Sequence, residues 1–493
     1  MSGRNLILLV FFAALVLILQ FRPSADVDTF WQLKLGQLTI QRASLIRSDP
    51  FTATHAGDPV APIGWLSQVC YALLYAAGSW RLLHQVNALV FAGAFLIAGM
   101  TASRGDAPTP IGLRGVLPGM CTGMMIAMPF CEIRPHSFAL LGFALLLWLA
   151  QAEMRAWLKL ALAFMVLVVW QNMHPSVMLG AVAVGALAGA GWLRWLWDRR
   201  AAKPWLLTAL MLLAIFSTAA TPMGMTIFES SAYNAEISRR LGVSEWMPLW
   251  HPAAWLGGAR GVWIALAVSL LLWVRARRQV RAEDVALLLV LGAASLSVYR
   301  LSLFFAVAMV PVWSRWIEAA FFADRPATAQ AAAVAPWLAA GVVAAGLLVA
   351  LGTPRLFDMR LFSRELPLAG VQRLRQLGVR GVIYNCREWG GPLIWAGYPQ
   401  WQVTIDGRLY LFTLDEWRRY SAVAAGRVTV AEVERQYRPD AFFLRPSYDR
   451  RFIALLQGNR HWVQAYADEN AVIFLPRHRP TEKGGLAPWR KLF

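Results

Sequence analysis

The sequence predicts a polytopic α-helical membrane protein that ends in a soluble α/β domain, and three features predict it. Hydrophobic residues make up 58% of the chain against 15% charged, with a mean hydropathy of +0.47, a balance outside the range of soluble domains. Apolar runs long enough for a hydrocarbon core of ~30 Å recur through the first two thirds. After Gly352 this pattern stops, and short alternating strand and helix patterns take over.

The apolar runs fall at about 5–21, 82–101, 111–129, 136–152, 157–172, 176–197, 205–220, 261–275, 284–298, 300–318 and 333–352. They predict about 11 transmembrane helices. The segment Trp65–Gly78 is also apolar and reads as a helix lying in the interface. Residues 1–21 read as a span and not as a cleaved signal peptide, because no small-residue cleavage site follows. The domain expectation is a transmembrane domain over 1–352, with a first extracytoplasmic loop at 22–64, and a periplasmic α/β domain over 353–493.

Orientation follows from the short loops. Arg104 and Arg114, Arg155 and Lys159, Arg194 to Lys203, Arg275 to Arg281, and Arg315 with Arg325 fall in alternate loops. Those loops face the cytoplasm by the positive-inside rule, and the N-terminus falls on the same side. An odd number of spans places the tail outside. The formal net charge of +19 is then a matter of topology and contact with lipid headgroups, and no nucleic-acid partner is needed. Four cysteines without CxxC spacing give no disulfide framework and no zinc pattern. No P-loop or GxGxxG occurs.

Polar chemistry collects on the predicted outer face. The first loop begins Asp26-Val27-Asp28-Thr29-Phe30-Trp31, just after the first apolar run. Carboxylates beside a bilayer are costly and mark a candidate site. Further outer turns carry Arg134-Pro135-His136, then Asn172-Met173-His174, then Glu245-Trp246, and last Tyr299-Arg300. Carboxylates, imidazoles and isolated arginines on one face suit acid–base chemistry beside a phosphate. Each also has a structural reading. Asp26 and Asp28 can cap a helix, Arg134 can snorkel to headgroups, His136 and His174 stand beside prolines at helix ends, and the tryptophans fit an interfacial belt. It is their clustering that favours function.

In the tail, a helix is predicted over Ser363–Leu377 and a strand over Gly381–Tyr384. A helix start follows at Trp389–Trp395, and a strand over Gln402–Ile405 runs into Asp406-Gly407-Arg408. Helices over 414–424 and 429–437, a strand over Ala441–Leu444, a helix over Tyr448–Gln457 and a hairpin over Trp462–Leu475 complete it. Asp-Gly at a strand end ordinarily makes a turn, while Asp406 and Arg408 are also candidates to touch a substrate.

The order of these motifs resembles the GT-C superfamily of membrane glycosyltransferases, which includes oligosaccharyltransferases, protein O-mannosyltransferases and aminoarabinose transferases. The resemblance rests on Asp26-x-Asp28-Thr29-Phe30-Trp31 with Gly36, Ser48-Asp49-Pro50-Phe51 and Gly64-Trp65-Leu66-Ser67. It continues through Ile133-Arg134-Pro135-His136, Trp170 to His174 and Glu245-Trp246, and ends with Glu388-Trp389-Gly390-Gly391 and Ile405-Asp406-Gly407-Arg408. The WWD motif of oligosaccharyltransferases is missing, and Asp-x-Asp replaces the adjacent Asp-Glu of mannosyltransferases. The resemblance implies a bacterial inner-membrane enzyme that takes a sugar from a polyprenyl-phosphate carrier and transfers it to a hydroxyl of a glycan, lipid or protein acceptor at the periplasmic face. It implies a first-loop acid, Asp28 or Asp26, as general base or as ligand to Mg²⁺ or Mn²⁺. Arg134 and Arg300 are then candidates for the leaving phosphate, and His136, His174, Glu245, Asp406 and Arg408 for substrate contacts. The competing expectation is a non-catalytic protein of envelope or exopolysaccharide assembly that binds a polyprenyl-linked glycan or a partner.

Overall fold

The computed structural model describes residues 3–102, 111–322 and 360–477. Helices occupy ten of the eleven expected spans; the other, 333–352, lies outside the described residues. Four described helices are long and apolar enough to cross a membrane: Trp65–Ala102, Ala156–Met173, Val177–Trp197 and Tyr299–Phe322. Ile7–Gln20, His136–Gln151 and Trp205–Ser217 are apolar but shorter. The expected interfacial helix and the span after it form one helical stretch, Trp65–Ala102. It breaks at Gly78 and Ser79, and Ser79 has φ 59°.

The chain divides into two compact units. One takes the described residues of Met1–Pro23 and Leu83–Met359; the other takes those of Ser24–Leu82 and Arg360–Phe493. The expected boundary at 352/353 therefore does not coincide with this division, because the first loop belongs to the same unit as the tail.

The first unit is helical. Its helix Leu113–Ala127 lies against Ser302–Phe322 because Gly115, Gly119 and Gly123 form a smooth stripe, one turn apart. A Cβ on Gly115 would stand 2.4 Å from the Ser314 carbonyl, and one on Gly119 2.6 Å from the Ser314 hydroxyl. Small residues at this spacing let helix backbones approach closely. Elsewhere Trp313 donates to Ser269 Oγ at 2.8 Å, and the buried Asp284 accepts from Arg315 and Trp316, so these buried side chains have partners.

The second unit is built on a five-stranded mixed sheet of order β2-β1-β3-β5-β4. The strands are β1 (Gly381–Asn385), β2 (Trp401–Val403), β3 (Ala441–Leu444), β4 (Trp462–Ala467) and β5 (Val472–Pro476). β1 runs parallel to β2 and β3, while β5 is antiparallel to β3 and β4. Every residue of β3 is buried, as expected of a central strand. The helices Leu414–Ala424 and Val430–Tyr437 start at capping boxes, Thr413 with Glu416 and Thr429 with Glu432, which satisfy their first amides.

The first loop completes this unit. Ala53 donates to Val403 O at 2.9 Å and Val403 to Phe51 O at 3.1 Å, so residues 51–53 cover the open edge of β2. Ser24 exchanges backbone bonds with Leu361 and Ser363. Phe30 packs at 5.0 Å from Trp80 and 5.4 Å from Phe362, and Trp80 at 5.6 Å from Trp395. These aromatic contacts join the two sequence segments into one core.

His55 adds an ionic tie, with Nδ1 2.8 Å from Asp58 Oδ2 and Nε2 2.8 Å from Glu416 Oε1. Burial alone would lower its pKa, but Asp58 and Glu416 outweigh burial and raise it above 6.5. Burial would raise Glu416, yet Thr413 and then His55 bring it below 4.5. The histidine's contribution to stability is thus complete below 6.5 and lost as pH rises through its raised value. The glutamate's contribution is complete above 4.5 and lost on acidification. We expect the melting midpoint of wild type to exceed that of His55→Gln at about pH 6 and the difference to shrink by about pH 9. A difference that stays constant with pH would refute the tie.

Candidate functional site

In the second unit, the helix Asp28–Arg42 begins at the paired acids, and the two have different surroundings. Asp26 is buried at 4% exposure, and its Oδ2 accepts from the Thr29 amide at 3.1 Å and the Thr29 hydroxyl at 2.8 Å. It therefore satisfies one of the orphan amides of the first turn. Asp28, the first residue of the helix, is half-buried, and its Oδ1 accepts from Trp31 Nε1 at 3.0 Å.

The turn Asp406-Gly407-Arg408 is held against Asp28. A Cβ on Gly407 would stand 2.0 Å from Asp28 Oδ1, so any side chain there would have to displace the Asp28 carboxylate. The turn is fixed from behind by a buried ion group. Arg408 bonds Asp406 through Nε at 3.0 Å and Nη2 at 2.6 Å, and its Nη1 lies 2.7 Å from Asp49 Oδ1. All three side chains are essentially inaccessible. Asp49 also accepts from the amides of Phe51 and Thr52. Tyr410 stands in the same field. Burial pushes its phenol up to about 12, with Arg408 opposing and Asp406, Asp49 and Asp28 adding to the shift.

The Glu388–Gly391 motif packs on the same place. A Cβ on Gly390 would lie 2.5 Å from the Ile405 carbonyl, and one on Gly391 2.0 Å from the Val27 carbonyl. Asn385, at the end of β1, steers the approach of this chain. Its Oδ1 accepts from the Thr404 amide at 2.9 Å, and its Nδ2 donates to Ile405 O at 2.8 Å. The side chain takes over the ladder there, which is why β2 stops at Val403 and not at the expected Ile405. Four motifs that stand far apart in sequence thus meet around Asp28.

In the first unit a second group forms. Glu245 lies in a short turn, Ser244–Trp246, and its carboxylate receives both arginines. Arg134 Nη1 stands 3.3 Å from each oxygen, and Arg300 Nη1 3.1 Å from Oε1. Burial would raise the Glu245 pKa, but Arg300 and then Arg134 hold it down at about 2. Two guanidiniums thus converge on one carboxylate, a donor geometry that also matches an oxyanion. Tyr299 anchors the neighbouring turn through its amide to Met247 O at 2.9 Å and its hydroxyl to Gly257 O at 2.9 Å.

The two histidines beside this group have structural bonds. His136 Nε2 lies 2.6 Å from Phe130 O, and His174 Nδ1 2.9 Å from Ser176 Oγ, which Trp170 also bonds. The predicted residues therefore fall into two groups: Asp26, Asp28, Asp406 and Arg408 in one unit, and Arg134, His136, His174, Glu245 and Arg300 in the other. Asp49 was not singled out by sequence reasoning as a site residue. Its place in Ser48-Asp49-Pro50-Phe51 was the available signal. Among the described residues, no group of three or more His, Cys, Asp or Glu side chains converges as a metal site. The Asp26 carboxylate is already bonded to Thr29, so the pair Asp26 and Asp28 does not form a ready cage for Mg²⁺ or Mn²⁺.

Two substitutions test this arrangement. Arg408→Met leaves two carboxylates buried without their partner and is expected to cost about 3–5 kcal/mol; chemical denaturation of the purified protein would measure it, and a cost near zero would refute the buried group. Gly407→Ala is expected to keep most of the stability change local while displacing Asp28, read as a changed fluorescence of Trp31 relative to wild type.

No family model and no curated relative matches the chain. Solved structures do match. Arabinofuranosyltransferase AftD from Mycobacteria aligns with 97% of this chain at TM-score 0.51 and 14% identity, and a mutant form of it aligns with 98% at 0.53 and 15%. This chain spans 40% and 42% of those chains, well under half their length. ArnT from Cupriavidus metallidurans, solved bound to undecaprenyl phosphate, aligns with 98% of each chain at TM-score 0.51 and 13% identity. At such identities the likeness is one of fold. The chain shares the fold of these two solved proteins.

Proposed function

We propose that this chain is an integral membrane glycosyltransferase that moves a sugar from a polyprenyl-phosphate carrier to an acceptor hydroxyl on the periplasmic face of the bacterial inner membrane. Asp28 is its general base. The observation that carries this choice is the contrast at the helix start: Asp26 is buried in the cap, whereas Asp28 is half-exposed and backed by Gly407 and Trp31.

In this reading the Asp28 carboxylate takes the proton of the acceptor hydroxyl as its oxygen attacks the anomeric carbon. The bond from that carbon to the carrier's phosphate oxygen breaks, and the phosphate leaves with the electron pair. In the first unit, the Arg134 and Arg300 guanidiniums gathered on Glu245 form a group whose forks match phosphate oxygens. Glu245 keeps both arginines extended and ready while no anion is present. Asp406, Arg408 and Asp49 act through Gly407, as positioning residues for Asp28. His136 and His174 shape the turns that carry Arg134 and its surroundings.

The test is turnover of polyprenyl-phospho-sugars by purified protein in detergent. Asp28→Asn should lower the rate by a factor on the order of 10² to 10⁴ with donor binding and melting midpoint unchanged. Asp26→Ala should instead cost about 1 kcal/mol of stability through its lost cap. Equal donor binding in all variants, with no turnover by wild type for any donor and acceptor tried, would overturn the enzymatic reading in favour of a glycan-binding protein.

A further inference from the structure

In the first unit, the turn between the helices Val177–Trp197 and Trp205–Ser217 gathers aromatic and basic side chains at short distances. Trp192 stands 5.6 Å from Trp195 and 4.7 Å from Trp205, ring centre to ring centre, both edge to face. Two cations lie on the same Trp195 ring, the Arg199 guanidinium 4.0 Å from its centre and the Lys203 ammonium 4.8 Å from it. Bonds and packing hold the turn in place. Trp192 Nε1 donates to Thr208 Oγ1 at 2.9 Å, and the Asp198 carboxylate accepts from the Arg200 amide at 3.0 Å. A Cβ on Gly191 would stand 2.9 Å from Pro204 Cβ, so the helix end and the turn are in close contact.

The charges of this turn do not cancel. Arg194 is paired with Glu283 at 2.8 Å, and Asp198 is the single acid that faces Arg199, Arg200 and Lys203 along residues 198–204. A guanidinium lying on an indole is attracted by the ring and keeps its in-plane N–H fork free, the fork that matches phosphate oxygens. Among the described residues, neither the Arg199 nor the Lys203 side chain makes a hydrogen bond or an ion pair. Large apolar side chains stand open beside them: Trp197 is 95% exposed, Leu193 69% and Trp205 63%. Val177–Trp197 is itself long and apolar enough to cross a membrane. A basic group flanked by exposed apolar side chains suits an amphiphile with a negative head, because a soluble anion would leave the apolar part in water.

We propose that Trp195, Arg199 and Lys203 form a binding site for the headgroup of an anionic phospholipid, with the two cations on its phosphate and Leu193, Trp197 and Trp205 against its acyl chains. The site rests on the reading of the chain as a membrane protein and uses no residue of the transfer site. Arg277 and Arg278, in the exposed turn after the helix Arg260–Ala276, provide the contrast. Among the described residues no aromatic ring lies under either of them.

The test offers phosphatidylglycerol or phosphatidylcholine to the full-length protein in neutral detergent. Native mass spectrometry counts the bound lipid, and the melting midpoint is followed in parallel. Wild type should retain phosphatidylglycerol in preference to phosphatidylcholine. Arg199→Gln with Lys203→Gln, both exposed positions, should weaken that retention on the order of tenfold at an unchanged melting midpoint without lipid. Trp195→Leu keeps both cations and should weaken it as well. Arg277→Gln with Arg278→Gln removes the same charge from a turn without the ring and should retain the wild-type preference. Equal loss in the two double variants overturns the site in favour of general attraction between basic turns and anionic lipid. Equal retention of both lipids by wild type overturns the site and leaves the membrane reading standing, whereas retention of neither overturns both. A saturable rise of the melting midpoint with glycerol 3-phosphate, without preference for phosphatidylglycerol, overturns the lipid assignment in favour of a soluble phosphate ester.

Discussion

The buried guanidinium of Arg408 is the constraint on which the second unit depends. A charge out of water requires partners of opposite sign with good geometry. Here one partner, Asp406, is two residues away, while the other, Asp49, comes from the first loop. The loop and the tail must therefore fold together, since neither can bury its part of the ion group alone. The same requirement covers the open edge of β2 with residues 51–53 and sets Gly407 beside Asp28. Ion groups of this kind contribute little net stability compared with apolar packing of equal volume. Their effect here is to select one register for the loop against the sheet.

The first unit solves a related problem differently. Arg134 and Arg300 come from turns at the ends of two separate helices, and their mutual repulsion is relieved by a single carboxylate. Glu245 is held ionised by that demand. The close helix contacts that carry such turns come from the glycine stripe of Leu113–Ala127, a matter of steric fit and not of charge. In one unit an acid pair neutralises one arginine, and in the other an arginine pair surrounds one acid.

Much of the tail was legible because its patterns are local. Capping boxes at Thr413 and Thr429 mark helix starts by residue type alone, and Ala441–Leu444 was read with its observed bounds. The ends of elements were less legible where a distant side chain intervenes. Asn385 shortens β2 by taking its hydrogen bonds, and a strand pattern carries no trace of that. The helices at ten apolar segments were readable from hydropathy, but their lengths were not, so four of the described helices meet the length and apolarity of a span. Membership of the first loop in the tail's unit was invisible for another reason. It rests on pairings such as Asp49 with Arg408 and His55 with Glu416, separated by more than three hundred residues, and a single sequence does not pair such positions.

The two acids at the start of the first-loop helix show what a motif can and cannot say. The spacing Asp-x-Asp puts one carboxylate just before the helix and the other on its first residue. At the earlier position the carboxylate can fold back onto the amide of Thr29, and it does, becoming buried. At the later position Asp28 turns toward Trp31 and the Asp406–Arg408 turn. Residue type and spacing alone gave Asp28 only a slight preference as the base, for its place deeper in the loop motif. What separates them is the helix start, which uses up the first acid as a cap, and a glycine 379 positions later in the chain, which leaves room for the second.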